Sequence, residues 1–186
     1  LDMATRIRIY ALKADYIQNL KSWKSSIETG IKISRVQTEN NLQAYVLKGN
    51  SMQPDTGRSN LFTYNEYVYA AYFSIRKEIG KFRVQAGLRW ENTKAKGRSE
   101  DLAGNLLNIP DTVYNNFFPT LFFSYKINEK NQLAFSYSKR INRPDYQSLN
   151  PFETIFDIYS SEKGNPYLRP QYGNNVELKY TYRYAL

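Results

Sequence analysis

The chain has 186 residues, no Cys, no His and a formal net charge of +9. Without Cys there is no disulfide framework and no thiolate metal site, and without His the commonest general base and zinc ligand are gone. Aromatics supply 16% of the residues, mainly 17 Tyr and 10 Phe, yet no stretch approaches the ~20 apolar residues of a transmembrane helix.

Alternation with period two predicts strands that have one apolar and one polar face. The first segment, 6–17, sets Tyr10, Leu12, Ala14 and Tyr16 against Lys13 and Asp15. Over 27–38, Ile31 and Ile33 oppose Glu28, Lys32 and Ser34. Over 66–76, Tyr67, Tyr69, Ala71, Phe73 and Ile75 oppose Glu66, Ser74 and Arg76. Segment 82–91 is the clearest, with Phe82, Val84, Ala86, Leu88 and Trp90 against Arg83, Gln85, Gly87, Arg89 and Glu91. Segment 117–127 is apolar on both faces, because Phe118 and Phe122 point away from Leu121, Phe123 and Tyr125. Pro119 cannot donate to a ladder and is expected at the start of that strand. Over 132–140, Leu133, Phe135 and Tyr137 oppose Gln132, Ser136, Ser138 and Arg140. Over 175–184, Val176, Leu178, Tyr180, Tyr182 and Tyr184 oppose Asn175, Glu177, Lys179, Thr181 and Arg183.

These segments make about seven strands. Short gaps (about 18–26, 78–81 and 128–131) alternate with long ones (about 39–63, 96–113 and 142–172). Tight turns on one membrane side and long loops on the other give this pattern in a transmembrane barrel. Tyr16, Phe82, Tyr125, Tyr182 and Tyr184 fall near short-turn ends, and Tyr67, Trp90 and Phe117 near long-loop ends, as interfacial girdles require. The expected fold is all-β, an antiparallel meander forming part of a larger transmembrane barrel. Seven is an odd number, a single-chain bacterial barrel has an even one, and an open edge cannot sit in lipid. Residues 1–186 therefore read as one barrel segment, without a plug domain.

The stretch 138–184 carries Ser138-Lys139-Arg140-Ile141-Asn142-Arg143-Pro144-Asp145-Tyr146, Leu149-Asn150-Pro151-Phe152 and Gly164-Asn165-Pro166-Tyr167-Leu168-Arg169-Pro170-Gln171, then Val176-Glu177-Leu178-Lys179-Tyr180. Upstream come Lys13-Ala14-Asp15-Tyr16, Glu28-Thr29-Gly30-Ile31-Lys32, Tyr64-Asn65-Glu66, Ala70-Ala71-Tyr72, Ala86-Gly87-Leu88-Arg89-Trp90-Glu91-Asn92-Thr93 and Phe118-Pro119-Thr120. In this order and spacing the fragments resemble the outer-membrane β-barrel family of Bacteroidetes, related to TonB-dependent receptors. The resemblance implies a barrel of about 22 strands in the outer membrane, with an N-terminal plug coupled to an inner-membrane energy source. The implied function is nutrient uptake. TonB would engage only through the missing plug region, and the nutrient, a small molecule or an oligomer, stays unidentified.

On this reading Tyr67, Tyr69, Phe73, Val84, Leu88, Trp90, Leu133, Phe135, Leu178 and Tyr180 face lipid. Glu66, Arg76, Arg83, Arg89, Glu91, Glu177, Lys179 and Arg183 face the lumen. The Pro-rich loop is stiffened at Arg143-Pro144, Asn150-Pro151, Asn165-Pro166 and Arg169-Pro170. It is either a substrate-facing loop, with Arg140, Arg143, Asp145, Tyr146, Tyr159, Tyr167 and Arg169 near the ligand path, or a cap packed on the barrel top. The partners expected are outer-membrane lipid and lipopolysaccharide, and the rest of the parent barrel and plug. The Lys and Arg residues form no dense block, so nucleic acid is not expected. No cofactor or metal is expected: carboxylates such as Asp55, Glu100, Asp101 and Asp111 lack calcium-loop spacing. Nor is an enzyme, since Glu66, Glu91 and Glu177 lie on polar strand faces. Two readings compete: a non-transporting surface or binding barrel, and a soluble β-domain that binds carbohydrate through its Tyr and packs the aromatic face into a dry core.

Overall fold

Two long strands, β1 (Asp2–Leu20) and β2 (Ser25–Gln43), open the chain. The computed structural model describes residues 2–109, 111–151, 153–155, 157 and 159–182. A short hairpin, β3 (Tyr45–Lys48) and β4 (Ser51–Pro54), leads to β5 (Asn60–Ile79) and β6 (Phe82–Asp101). After the three-residue β7 (Leu106–Asn108) come β8 (Thr112–Lys126) and β9 (Asn131–Asn142). One helical turn, α1 (Tyr146–Leu149), and a small hairpin, β10 (Glu153–Ile155) with β11 (Ser161–Lys163), precede β12 (Gln171–Tyr182).

Seven strands run side by side in the order β1-β2-β5-β6-β8-β9-β12, and β7 pairs with β6. All pairings are antiparallel. This is the expected meander, left as an open sheet. Among the described residues no helix is long and apolar enough to cross a membrane.

The short turns are built by local chemistry. Gly80 takes φ +58 between β5 and β6, as the first central position of a tight two-residue hairpin requires. At the β8–β9 turn the Asn128 carboxamide oxygen accepts from the backbone N–H groups of Lys130 and Asn131, at 3.0 and 2.9 Å, an Asx turn.

Register assigns the faces. One row runs Asp15–Gly30–Tyr72–Arg89–Phe118 and carries the polar side. The adjacent row, Tyr16–Thr29–Phe73–Leu88–Pro119, carries the apolar side. Every buried strand position among the described residues, from Gly30 and Thr38 to Phe118 and Ser124, lies on the polar side. The apolar side is bare: Leu88 is 48% exposed, Trp90 37% and Leu178 71%. A water-soluble sandwich buries the opposite face.

Two expectations need adjusting. β5 and β6 each have 20 residues, against the about 9–11 that a tilted strand needs to cross hydrocarbon. Tyr67, Trp90 and Phe117 therefore sit part-way along their strands, and the ladders continue past them, so the long loops are shorter than expected. Pro119 lies in the middle of β8, opposite Leu88. The β8–β9 ladder begins only at Thr120↔Ser138, so Pro119 is paired on one side, as at a sheet edge, where its missing donor is tolerated.

Candidate functional site

The connection from β9 to β12 folds back over the polar side at the long-loop end. Arg143, directly after β9, sends its guanidinium to Glu91 at 2.5 Å, to Thr93 Oγ1 at 3.2 Å and to the Tyr114 hydroxyl at 3.2 Å. Glu91 and Thr93 come from the polar face of β6, and Tyr114 from that of β8. The second Glu91 carboxylate oxygen pairs with Arg89. Glu91 is only 4% exposed, so one buried carboxylate is held by two guanidiniums. Burial is the largest influence on Arg143 and works against its charge, but the hydrogen bonds to Glu91 and Tyr114 and the attraction of both groups together outweigh it and hold the guanidinium above its ordinary pKa.

Beside this polar clamp is the described apolar core of the protein: Phe62, Ile109 and Leu149, with Tyr64 and Tyr146 packed against them. Leu149 arrives on α1, whose N-terminus is capped by Asp145, accepting from the Ser148 N–H at 2.7 Å. The returning chain docks on that turn through Gly164 N–H to Asn150 O at 2.8 Å and Asn165 N–H to Ser148 O at 2.7 Å. Gly164 is needed here, because a Cβ would strike the backbone oxygens of Asn150, Gln147 and Ser148. The loop thus has structure of its own, α1 and the β10–β11 hairpin, and packs on the sheet through Leu149 and Tyr146. Its far end is different: Tyr159 is 92% exposed and Tyr167 72%. An open pocket of about 590 Å³ lies between β8 and the returning loop, lined among others by Asp111, Tyr114, Tyr167, Arg169 and Tyr172.

A model described as the Outer membrane protein beta-barrel family matches residues 2–186. The chain belongs to that family. Its place is therefore the outer membrane. No curated protein matches the chain. Among solved structures it is similar to the unliganded form of the ferric citrate transporter FecA, with a TM-score of 0.55, 17% sequence identity and coverage of 75% of this chain. The match covers 21% of FecA, so the chain corresponds to a minor part of that transporter, and at this identity the likeness is one of fold.

Within this barrel-family sheet, Glu66, Arg76, Arg83, Arg89, Glu91, Glu177 and Lys179 share the polar side, while Arg183 lies outside the described residues. Arg76 reaches Gln85 at 3.1 Å and Arg83 reaches Glu78 at 2.8 Å, so these two are tied locally near the short turns. Tyr67, Tyr69, Phe73, Val84, Leu88, Trp90, Leu133, Phe135, Leu178 and Tyr180 share the apolar side. Near the short turns, Phe82 stacks on Tyr125 with centroids 4.6 Å apart. Arg89, Glu91 and Arg143 come together in the clamp. Asp145 and Tyr146 are spent on the helical turn and the core. Arg140, Tyr159, Tyr167 and Arg169 stay exposed and separate from the clamp.

Tyr114, Phe62 and Ile109 were not singled out from the sequence. Tyr114 meets Arg143 across 29 residues of chain, a contact no local pattern encodes. Among the described residues no group of three or more acidic side chains is placed to hold a metal ion.

Proposed function

We propose that the chain is a wall segment of an energised outer-membrane transporter for a scarce nutrient, of the TonB-dependent type and from a bacterium of the Bacteroidetes. The observation that carries the membrane part of this reading is the inverted burial. The packed residues sit on the polar side of the sheet, and the other side exposes a continuous apolar surface far larger than monomeric soluble proteins tolerate. Lipid covers that side, and the polar side lines the lumen. On this reading 1–186 is one barrel segment, and the plug that meets TonB lies elsewhere in the protein.

The loop 143–170 then narrows the outer mouth. Its inner half is fixed by the Arg143–Glu91 clamp, and its outer half, with Tyr159, Tyr167 and Arg169, meets the incoming solute together with Arg140 and the pocket beside β8. The likeness to FecA supports a large barrel, the setting in which plugged transporters occur.

The rival reading within the membrane is a binding barrel that transports nothing. Conductance of the full-length protein in a planar bilayer separates the two. A plugged transporter stays closed and opens to a wide pore once denaturant unfolds the plug. A barrel that is already open, or that denaturant never opens, contradicts the transport reading.

A further inference from the structure

The alternation changes character part-way along the strands. On β6 the apolar side reads Phe82, Val84, Ala86, Leu88 and Trp90, a nine-residue run matching the about 9–11 residues of a membrane crossing. The same side then continues through Asn92 to Lys94, Lys96 and Arg98. Register extends each of these into a row across four strands. Lys94 leads through Tyr67 to Arg35 and Tyr10, Lys96 through Asn65 and Gln37 to Arg8, and Arg98 through Thr63 and Glu39 to Arg6.

Three successive rows therefore hold six cations, all exposed, against one carboxylate, Glu39. Over the same rows the opposite side of β1, β2, β5 and β6 carries no Lys or Arg, and there Phe62 and Thr93 are buried. Arg35 lies over the Tyr67 ring, 5.2 Å from its centroid. Lys96 pairs with Asp111 at 3.3 Å and Arg98 with Glu100 at 3.2 Å. Among the described residues Arg6, Arg8, Arg35 and Lys94 have no ion-pair partner.

Lys94, Lys96 and Arg98 follow one another along one edge of the cluster, with Arg6, Arg8 and Arg35 two or three strands away, so the patch is a concentration of positive charge that attracts anions. Lys94 lies four residues beyond Trp90, about 13 Å along the strand at ~3.3 Å per residue, which is headgroup depth for a strand tilted ~45°. In a barrel the long loops lie outside the cell, so this is the outer leaflet. From β1 to β6 the cluster spans about 14 Å at 4.8 Å per strand, too wide for one phosphate and suited to a glycolipid bearing more than one.

We propose that Arg6, Arg8, Arg35, Lys94, Lys96 and Arg98 form a binding site for the phosphates of outer-leaflet lipopolysaccharide. The site rests on the reading of the apolar side as lipid-facing. The Arg guanidiniums grip phosphate oxygens in pairs and the Lys ammoniums act as point charges, while the acyl chains lie along Trp90, Leu88 and Phe73.

The test is native mass spectrometry of the full-length protein in detergent, titrated with bisphosphorylated lipid A, with the same lipid dephosphorylated, and with phosphatidylethanolamine. Unaltered protein should prefer the phosphorylated form by about tenfold or more. The variant Arg8→Gln/Arg35→Gln/Lys94→Gln/Lys96→Gln should lose that preference while binding the other two lipids as before. A control at the short-turn end, Lys77→Gln/Lys130→Gln, should keep it. Equal binding of the two lipid A forms by unaltered protein overturns the site, whether or not the variant folds. So does a preference that survives in the variant, or one abolished by inorganic phosphate alone, which marks a free-anion site. Failure to retain any of the three lipids removes the lipid-facing reading itself, and is distinct from loss of the phosphate preference.

Discussion

Glu91 is the residue on which the cap of the barrel turns. With Arg89 and Arg143 both on its carboxylate, it is neutralised where an unpaired charge would be costly. Arg143→Ala leaves Thr93 and the Tyr114 hydroxyl without their guanidinium, and should weaken docking of loop 143–170 by about 2–3 kcal/mol. Faster proteolytic cleavage within 143–170 reads that loss directly. In a Glu91→Gln background the further effect of Arg143→Ala should shrink, because the two act as one unit. Gly164→Ala pushes a methyl against three backbone oxygens and should cost about 1–3 kcal/mol, again as loop cleavage, with resistance of the sheet to heating in SDS unchanged. Tyr159→Ala touches an exposed residue and should leave cleavage unaltered.

At the scale of one strand, β6 carries the whole logic of the sheet. Leu88→Arg places a charge on the apolar side inside the crossing, one apolar position short of Trp90, and should destabilise the folded protein by about 1–3 kcal/mol in bilayers, between the midplane and interfacial costs. Lys94→Leu, six residues on, should cost far less. Urea unfolding in lipid vesicles checks both, and equal costs would place no lipid boundary between the two positions. β6 also shows what the sequence could reveal. Over 82–91 the contrast between faces is complete, and with the other six segments it located all seven strands and, for the described residues it named, the side of the sheet. Beyond Trp90 the contrast changes meaning: Gly97 and Ser99 pack on the buried side, and Lys96 and Arg98 stay wet. Hydropathy alternation fades there although the ladder continues, so the strands read too short. The clamp was half legible. Arg89 and Glu91 stood out on a polar face, but their meeting with Arg143 spans 52 residues, and nothing local marks it.

For the whole molecule, β1 and β12 each pair on one side among the described residues. Open edges are not stable in hydrocarbon, so on the reading proposed above both edges must be paired in the membrane. The isolated chain without detergent should therefore associate through these edges and its apolar side, eluting from a sizing column well above its monomer mass of 21.8 kDa. The most direct test of the central claim is single-Cys labelling in lipid vesicles and in detergent. Leu88 and Tyr180 report on the apolar side, and Arg89 and Lys179 on the polar side. Protection of Leu88 and Tyr180 by lipid, with Lys179 reacting readily with a water-borne reagent and Arg89 more slowly, is expected. If Leu88 and Tyr180 stay protected in plain buffer with no lipid or detergent, a dry protein core covers them, and the membrane-wall account is wrong.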